Sequence, residues 1–146
     1  MKSVSRYRKL FFSLILMLSI YSSCSVQYVA EYDASIKQEI VRIAKLVDLF
    51  WGELLDTPIE DRKYDNFKKM YNKIETDLRG LKMMNEIRPL NKASTKQSEN
   101  ALILWIEDKK IQKENDGFSN FEAKSHRKQY MRVFIAMAKG EEAKDI

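Results

Sequence analysis

Residues 64–81 read YDNFKKMYNKIETDLRGL, and the spacing of the apolar side chains in this stretch decides the fold. The apolar positions alternate between three and four residues apart: Tyr64, Phe67, Tyr71, Ile74, Leu78 and Leu81. This heptad seam is typical of a helix that packs against nearly antiparallel neighbours, because it keeps the apolar side chains on one side. The stretch therefore predicts a long helix inside a helical bundle.

The flanking residues predict where this helix begins and ends. Thr57-Pro58-Ile59-Glu60 has the pattern of a capping box with proline at the first helical position, so the helix is expected to begin at Thr57. Pro89 stops it, because the residue before a proline is pushed out of helical angles. The predicted helix has about 30 residues and is about 45 Å long at 1.5 Å per residue.

Another amphipathic helix is predicted upstream, over residues 34–55. Asp33 is expected to be its N-cap, because an aspartate oxygen can accept hydrogen bonds from the free amides of the first helical turn. The apolar residues again recur every three or four positions: Ile36, Ile40, Ile43, Val47, Phe50 and Leu54. This periodicity predicts a second helix with one face in the core.

Two further patterns predict a third and a fourth helix. The third is expected to begin near Asn91 or Ser94 and to end near Asn115. Its apolar residues are Ala101, Leu102, Ile103, Trp105 and Ile106. The fourth is expected to begin after Ser119 and to end at Gly140. Its apolar residues are Phe121, Tyr130, Met131, Phe134, Met137 and Ala138.

The links between these four segments are only a few residues long, and Gly117 marks one of them as a left-handed stop. Short links make successive helices antiparallel neighbours in a bundle. The sequence therefore predicts an all-α domain over residues 34–146, folded as an up-down-up-down four-helix bundle.

The first 23 residues have the three parts of a secretory signal peptide. A basic segment, residues 1–9, is followed by the apolar run 10–20 and then by small residues. This run is shorter than the roughly 20 apolar residues that a transmembrane helix needs. We therefore expect residues 1–23 to be a cleaved signal peptide, with an uncleaved membrane anchor as the alternative.

The end of the leader, Tyr21-Ser22-Ser23-Cys24, resembles the lipobox of bacterial lipoproteins, in which Leu, a small residue and Gly, Ala or Ser precede a cysteine. Ser22 and Ser23 fit this pattern, whereas Tyr21 replaces the usual leucine. The resemblance implies that Cys24 becomes the N-terminus, carrying a thioether-linked diacylglycerol and an N-acyl chain such as palmitate.

The cysteine count agrees with lipidation. Cys24 is the only cysteine, so no disulfide within the chain is available to an exported domain, and acylation would consume the thiol. Cleavage after Ser25 without lipidation is the alternative. Residues 24–33 are expected to form an extended lipidated tether, in which Val26, Tyr28 and Ala30 alternate with polar residues as in a short strand.

Acyl chains would anchor the protein to a membrane of the bacterial cell envelope. Ser25 follows the cysteine, and by resemblance to the enterobacterial sorting rule a residue other than Asp favours the outer membrane or cell surface over the inner membrane. The oligomeric state stays open at this stage.

The positive charge of the whole chain does not predict nucleic-acid binding. The formal net charge is +5, but residues 1–23 contain four of the 26 Lys and Arg and none of the 21 acids. Removing the leader leaves 22 cations against 21 acids and a net charge of +1. Binding to phosphates needs a concentrated basic face, so nucleic acid is not an expected partner.

No motif for catalysis, metal binding or a cofactor occurs in the sequence. Glu-x-x-His metal motifs, Gly-x-Ser-x-Gly and glycine-rich phosphate loops are all missing. His126, the single histidine, is interpreted as a solvent-facing or helix-flank residue rather than a ligand or catalytic base. We therefore expect no catalytic residues, no metal site and no cofactor.

One group of polar residues is a candidate binding surface at the end of the bundle where the second helix leads into the third. Its members are Asn85, Arg88, Asn91, Ser94, Thr95 and Ser98. Asn85 falls where the seam calls for an apolar residue, so either it is a buried polar position or the stripe ends before it. The whole group either lines a polar pocket or partner surface, or forms an exposed helix end.

These observations favour a membrane-tethered, non-enzymatic helical module that binds a protein partner in the cell envelope. A bundle that binds a small ligand between its helices is the alternative hypothesis. An enzyme of unfamiliar type is a third, and it predicts titratable groups clustered in a cleft around His126.

Overall fold

A computed structural model describes residues 29–115 and 117–145 of the 146-residue chain. The expected signal peptide, 1–23, and the lipidation site, Cys24, lie outside these residues, as do Val26 and Tyr28 of the tether.

The described residues contain four α-helices: α1 (Ala34–Asp56), α2 (Tyr64–Glu86), α3 (Lys92–Asn115) and α4 (Asn120–Glu142). They form an antiparallel four-helix bundle, in which α1 packs most extensively on α4 and α2 on α3. The predicted all-α fold class is confirmed. Within the described ranges, no helix is long and apolar enough to cross a membrane.

Aromatic side chains fill the centre of the bundle. The Phe50 ring makes edge-on contacts with four others, at centroid distances between 4.5 and 5.6 Å, from Trp51, Phe67, Tyr71 and Trp105. Edge-to-face pairs of this kind contribute about 0.5–1.5 kcal/mol each beyond the burial of their area. The centre of the bundle is therefore a packed core rather than a ligand cavity.

The link between α1 and α2 differs from the prediction. The Asp33 side chain caps α1 as predicted, accepting from the Ser35 amide at 2.8 Å. Thr57, however, ends α1: its amide and its hydroxyl both donate to the Glu53 carbonyl, at 3.0 and 2.7 Å. Because Thr57 caps α1, it does not begin α2, and the predicted capping box is wrong.

A short 3-10 turn, Ile59–Asp61, follows, and α2 begins only at Tyr64. The helix has 23 residues instead of about 30. The buried Arg62 side chain organises this link by donating to the carbonyls of Leu55, Thr57 and Phe118 and to the side chain of Asn120. These carbonyls include the C-terminal end of α1, where the helix dipole favours a cation.

The prediction for the inner face of α3 is partly wrong. Ala101, Leu102 and Trp105 are buried, but Ile103 and Ile106 are exposed. Two polar residues, Asp108 and Gln112, take the inward positions further along the helix. Their side chains are satisfied there: Asp108 accepts from Tyr130 at 2.8 Å, and Gln112 accepts from Tyr71 at 2.6 Å.

The start of α4 matches the prediction more closely than its apolar face does. Ser119 and Glu122 form a capping box at its N-terminus, and the helix continues to Glu142, past the predicted end at Gly140. Tyr130, Phe134 and Met137 are buried as expected. Phe121 and Met131, also among the apolar residues of the predicted fourth helix, are exposed, Phe121 to 82%, because they lie outside the buried stripe of the helix.

The residues before α1 lie against the link between α2 and α3. The Ala30 amide donates to the Leu90 carbonyl at 3.2 Å, and the Ala30 side chain is buried. Leu90 has a φ of 58°, a left-handed conformation that is uncommon for leucine and that this turn imposes. Residues 29–33 form no strand, so the strand-like contact of the tether is limited here to one hydrogen bond.

Candidate functional site

The predicted polar surface begins with two buried asparagines at the end of α2 and the start of α3. The Asn91 amide group donates to both the side-chain oxygen and the backbone carbonyl of Asn85, at 2.9 and 3.0 Å. Asn85 in turn donates to the Leu81 carbonyl at 3.1 Å. Asn85 is therefore a buried polar position that continues the inner stripe of α2.

A buried carboxylate connects these asparagines to α4 and to the N-terminal segment. Glu141 accepts from Arg88 at 3.1 Å and from the Asp33 amide at 3.0 Å. Lys144 pairs with Glu141 and donates to the Asn91 side chain at 2.7 Å. We call this group the polar clasp: Asp33, Asn85, Arg88, Asn91, Glu141 and Lys144. It joins both ends of the described chain to the link between α2 and α3.

Thr95 and Ser98, which also belong to the predicted surface, use their hydroxyls within α3. Ser98 donates to the carbonyls of Ser94 and Thr95, at 3.0 and 2.9 Å, and Thr95 donates to the carbonyl of Asn91 at 3.0 Å. Two open depressions, of about 390 and 420 Å³, remain on the surface there, the first lined in part by Arg88, Asn91 and Thr95 and the second in part by Asp33 and Arg88. The structure thus brings Asn85, Arg88 and Asn91 together in the polar clasp, and their role in binding stays a prediction.

His126 belongs to a second polar cluster, between α3 and α4. Its Nδ1 atom lies 3.0 Å from one carboxylate oxygen of the buried Asp108, and Tyr130 donates to the other. The imidazole stacks on Trp51, with ring centroids 5.3 Å apart. His126 therefore occupies a largely covered position on the flank of α4.

The pKa values of this cluster follow from its contacts. Hydrogen bonding with Asp108 is the largest cause that raises the pKa of His126, and it outweighs burial, which lowers it. Burial raises the pKa of Tyr130 well above its usual value, and the Asp108 charge raises it further. Tyr130 is thus a permanent donor near neutral pH, whereas His126 can change its protonation state.

The chemistry of this cluster is limited by what surrounds it. No hydroxyl or thiol nucleophile hydrogen-bonds to His126 in the parts of the chain that the structure covers. Nor do these parts hold a group of three or more His, Cys, Asp or Glu suited to a metal ion. The arrangement supports an internal, protonation-dependent contact.

An apolar concave surface, a groove of about 360 Å³, lies between α1 and α4. Its floor consists of buried side chains, including Ile40, Val47 and Phe134. Its rim consists of exposed apolar side chains: Val41, Met131 and Ile135, which are 40%, 53% and 49% exposed. Two alanines, Ala44 and Ala138, leave the space between the helices open.

One end of the groove is closed by an ion pair between the two helices. Arg127 donates to both carboxylate oxygens of Asp48, at 2.6 and 2.7 Å. This contact is the largest cause that lowers the pKa of Asp48. The pair holds α1 and α4 together beside the groove and fixes its shape.

The sequence prediction does not include this groove, because it groups Met131 with the other apolar residues of the fourth helix. A signal was present: Met131 and Ile135 are four residues apart, beside the buried pair Tyr130 and Phe134. An apolar row next to the inner stripe widens the apolar face beyond what the bundle itself covers. The chain matches no protein-family model, no curated protein and no solved structure.

Proposed function

We propose that the protein is a lipid-tethered, non-enzymatic interaction module of a bacterial cell envelope, and that a protein partner binds in the α1–α4 groove. The observation that carries this proposal is the row of exposed apolar side chains above an apolar floor. Grooves of this kind between two helices accept the apolar face of a third helix. Contiguous apolar surface is typical of interaction sites on soluble proteins.

The position of the N-terminal segment supports a tether that leaves the groove accessible. Ala30 is held beside Leu90, at the end of the bundle that contains the polar clasp. Cys24 lies six residues before Ala30, which spans at most about 20 Å of extended chain. A lipid on Cys24 would therefore keep this end close to the membrane, while the groove runs along the side of the bundle.

The tether is tested by intact-mass spectrometry of the membrane fraction from cells that express the wild-type chain or Cys24→Ala. We expect the wild type to lose residues 1–23 and gain acyl mass, and the variant to keep its leader. A mature protein that starts at another residue, or that carries no lipid, would contradict the lipoprotein part of the proposal.

The groove is tested by photo-cross-linking in intact cells. A photoreactive amino acid at Met131 is expected to yield a discrete cross-linked product, whereas one at Ile103, equally apolar and exposed on α3, is not. Ala44→Phe fills the groove and should abolish the product. Equal cross-linking from both positions, or a product that survives Ala44→Phe, would show that the groove is not the contact site.

A small apolar ligand is the second candidate occupant, because the groove volume lies within the range of about 300–1,000 Å³ typical of small-molecule sites. Organic extraction of the purified protein, followed by mass spectrometry, distinguishes the two. A stoichiometric ligand that is absent from Ala44→Phe would favour the small-ligand function over the protein partner.

A further inference from the structure

The surface beside the groove carries cations without acidic partners. They are Lys45 on α1 and Lys124, Lys128, Arg132 and Lys139 on α4. All five are exposed, and none has a carboxylate within 4.0 Å in residues 29–115 and 117–145. Several cations on α2 and α3 pair with acids of the same helix, as in Lys73–Asp77, Arg79–Glu75, Lys82–Glu86 and Lys96–Glu99. Lys68 and Lys69 on α2 form no ion pair within the described residues.

The cations of α4 form a row along one side of the helix. Lys124, Lys128 and Arg132 are four residues apart, so each is the neighbour of the next on the helix surface. Like charges at this spacing repel one another. Met131 and Ile135 on the groove rim lie three residues after Lys128 and Arg132, so each rim side chain has a cation beside it.

Two acids beside this surface are already paired. Asp48 binds Arg127, and Glu142, at the end of α4, binds Lys37 at 2.9 Å. The groove is therefore an apolar channel beside a row of cations that have no ion-pair partner among the described residues.

We propose that the occupant of the groove is an amphipathic helix with acidic flanks. Its apolar side chains, at positions i, i+3, i+4 and i+7, fill the groove, and Asp or Glu residues on one flank face the α4 row. This inference rests on the proposed function and specifies the chemistry of its partner.

Other occupants fit the charges less well. In a two-fold symmetric dimer of this chain, the positive row of one copy would lie close to the same row of the other copy, and the like charges would repel. Residues 1–28 carry four cations and no acid, so the chain's own N-terminal segment lacks the complementary charge. An anionic bilayer has that charge, but it is nearly flat and does not fill a channel whose floor contains Phe134 and Val47.

The test uses the full chain, purified from membranes in neutral detergent, and three fluorescent probe peptides. All are designed helices of about 18 residues, or five turns, with the same leucine seam. Their flanks carry Glu, Gln or Lys. We expect the Glu peptide to bind at least about tenfold more tightly than the Gln peptide, which corresponds to about 1.4 kcal/mol. Its affinity should fall as salt is added, because exposed charges are screened.

Charge reversal on the row is the decisive variant. Lys128→Glu combined with Arg132→Glu should weaken the affinity for the Glu peptide at least about tenfold, and the Lys peptide should then bind most tightly. The matched control reverses Lys68 and Lys69, two exposed cations on α2, and should change the affinity by less than about twofold. Circular dichroism verifies that each variant is folded.

The outcomes separate this inference from the proposed function. If all three peptides bind equally, the groove accepts a helix, but the proposal that this helix has acidic flanks is overturned. If none binds, and the Met131 cross-link is also missing, both proposals fail. The protein could instead bind phosphatidylglycerol vesicles, lose that binding on charge reversal and show no affinity for the Glu peptide. That result would overturn the proposed helical partner in favour of a lipid surface.

Discussion

Asp108 and Glu141 are two carboxylates buried to the same extent, each only 1% exposed, but their charges are balanced in different ways. Glu141 faces a guanidinium and an ammonium, from Arg88 and Lys144, at the end of the bundle. Asp108, between α3 and α4, faces a neutral tyrosine hydroxyl and the imidazole of His126. The polar clasp therefore keeps its charge balance across the neutral pH range, whereas the charge balance around Asp108 depends on a histidine proton.

Removal of Glu141 is expected to have the largest effect. Glu141→Leu leaves Arg88 and Lys144 close together without an acid, which is expected to cost about 3–5 kcal/mol of unfolding free energy. Urea unfolding measures this loss. The matched control is Glu142→Leu, one residue later, whose ion pair with Lys37 is exposed and should matter much less. Similar losses from both variants would contradict the role assigned to burial.

Neutralisation of Asp108 is expected to have a smaller effect. In Asp108→Asn the amide oxygen can still accept from Tyr130, but the charge facing His126 is lost. We expect a loss of about 1–3 kcal/mol in urea unfolding. Glu107→Gln, at the exposed neighbouring position, is the control and should cost little. A loss from Asp108→Asn as large as that from Glu141→Leu would remove the difference between the two sites.

Neither buried carboxylate could be predicted from the sequence, although most of the fold could. The stripes of α1 and α2, the Asp33 cap and the Ser119 start follow from periodicity and capping chemistry, which act within a few residues. Most partners of Asp108 and Glu141 are distant in sequence: Tyr130 is 22 residues from Asp108, and Arg88 is 53 from Glu141, although Lys144 is only three residues from Glu141. Periodicity alone assigns a charged residue to the surface.

The same limit explains the errors at the candidate site. α3 has little amphipathic character, because its inner face contains Asp108 and Gln112 while Ile103 and Ile106 face outward. Met131 is apolar and is therefore grouped with the other apolar residues of the fourth helix, although the core stripe of α4 is complete without it. The groove depends on which apolar side chains are left uncovered when α1 packs on α4, and that is a property of the packed bundle.

The pH dependence of stability should distinguish the two carboxylates further. The pKa of His126 is raised in the folded state, chiefly by hydrogen bonding with Asp108 and also by the charges of Asp108 and Glu122. The stabilising contact is therefore complete below the unfolded histidine pKa of about 6.5 and is lost as the pH rises through the higher folded value. Urea unfolding as a function of pH should show this fall in the wild type.

Three variants assign that fall in stability to one carboxylate. It should disappear in His126→Gln and in Asp108→Asn, because either change removes the pair. It should persist in Glu141→Gln, whose cationic partners do not include the histidine. A pH dependence that Asp108→Asn leaves intact would show that another group is responsible.

The smallest effect is expected at an exposed ion pair with two hydrogen bonds. Asp48 accepts two hydrogen bonds from Arg127, at 2.6 and 2.7 Å, but their side chains are 43% and 38% exposed. Because water already solvates both charges, Asp48→Asn should cost less than about 1 kcal/mol, and added salt should reduce that cost. Unfolding at low and high salt measures both quantities. If Asp48→Asn cost as much as Asp108→Asn, hydrogen-bond geometry rather than burial would determine the contribution of each carboxylate.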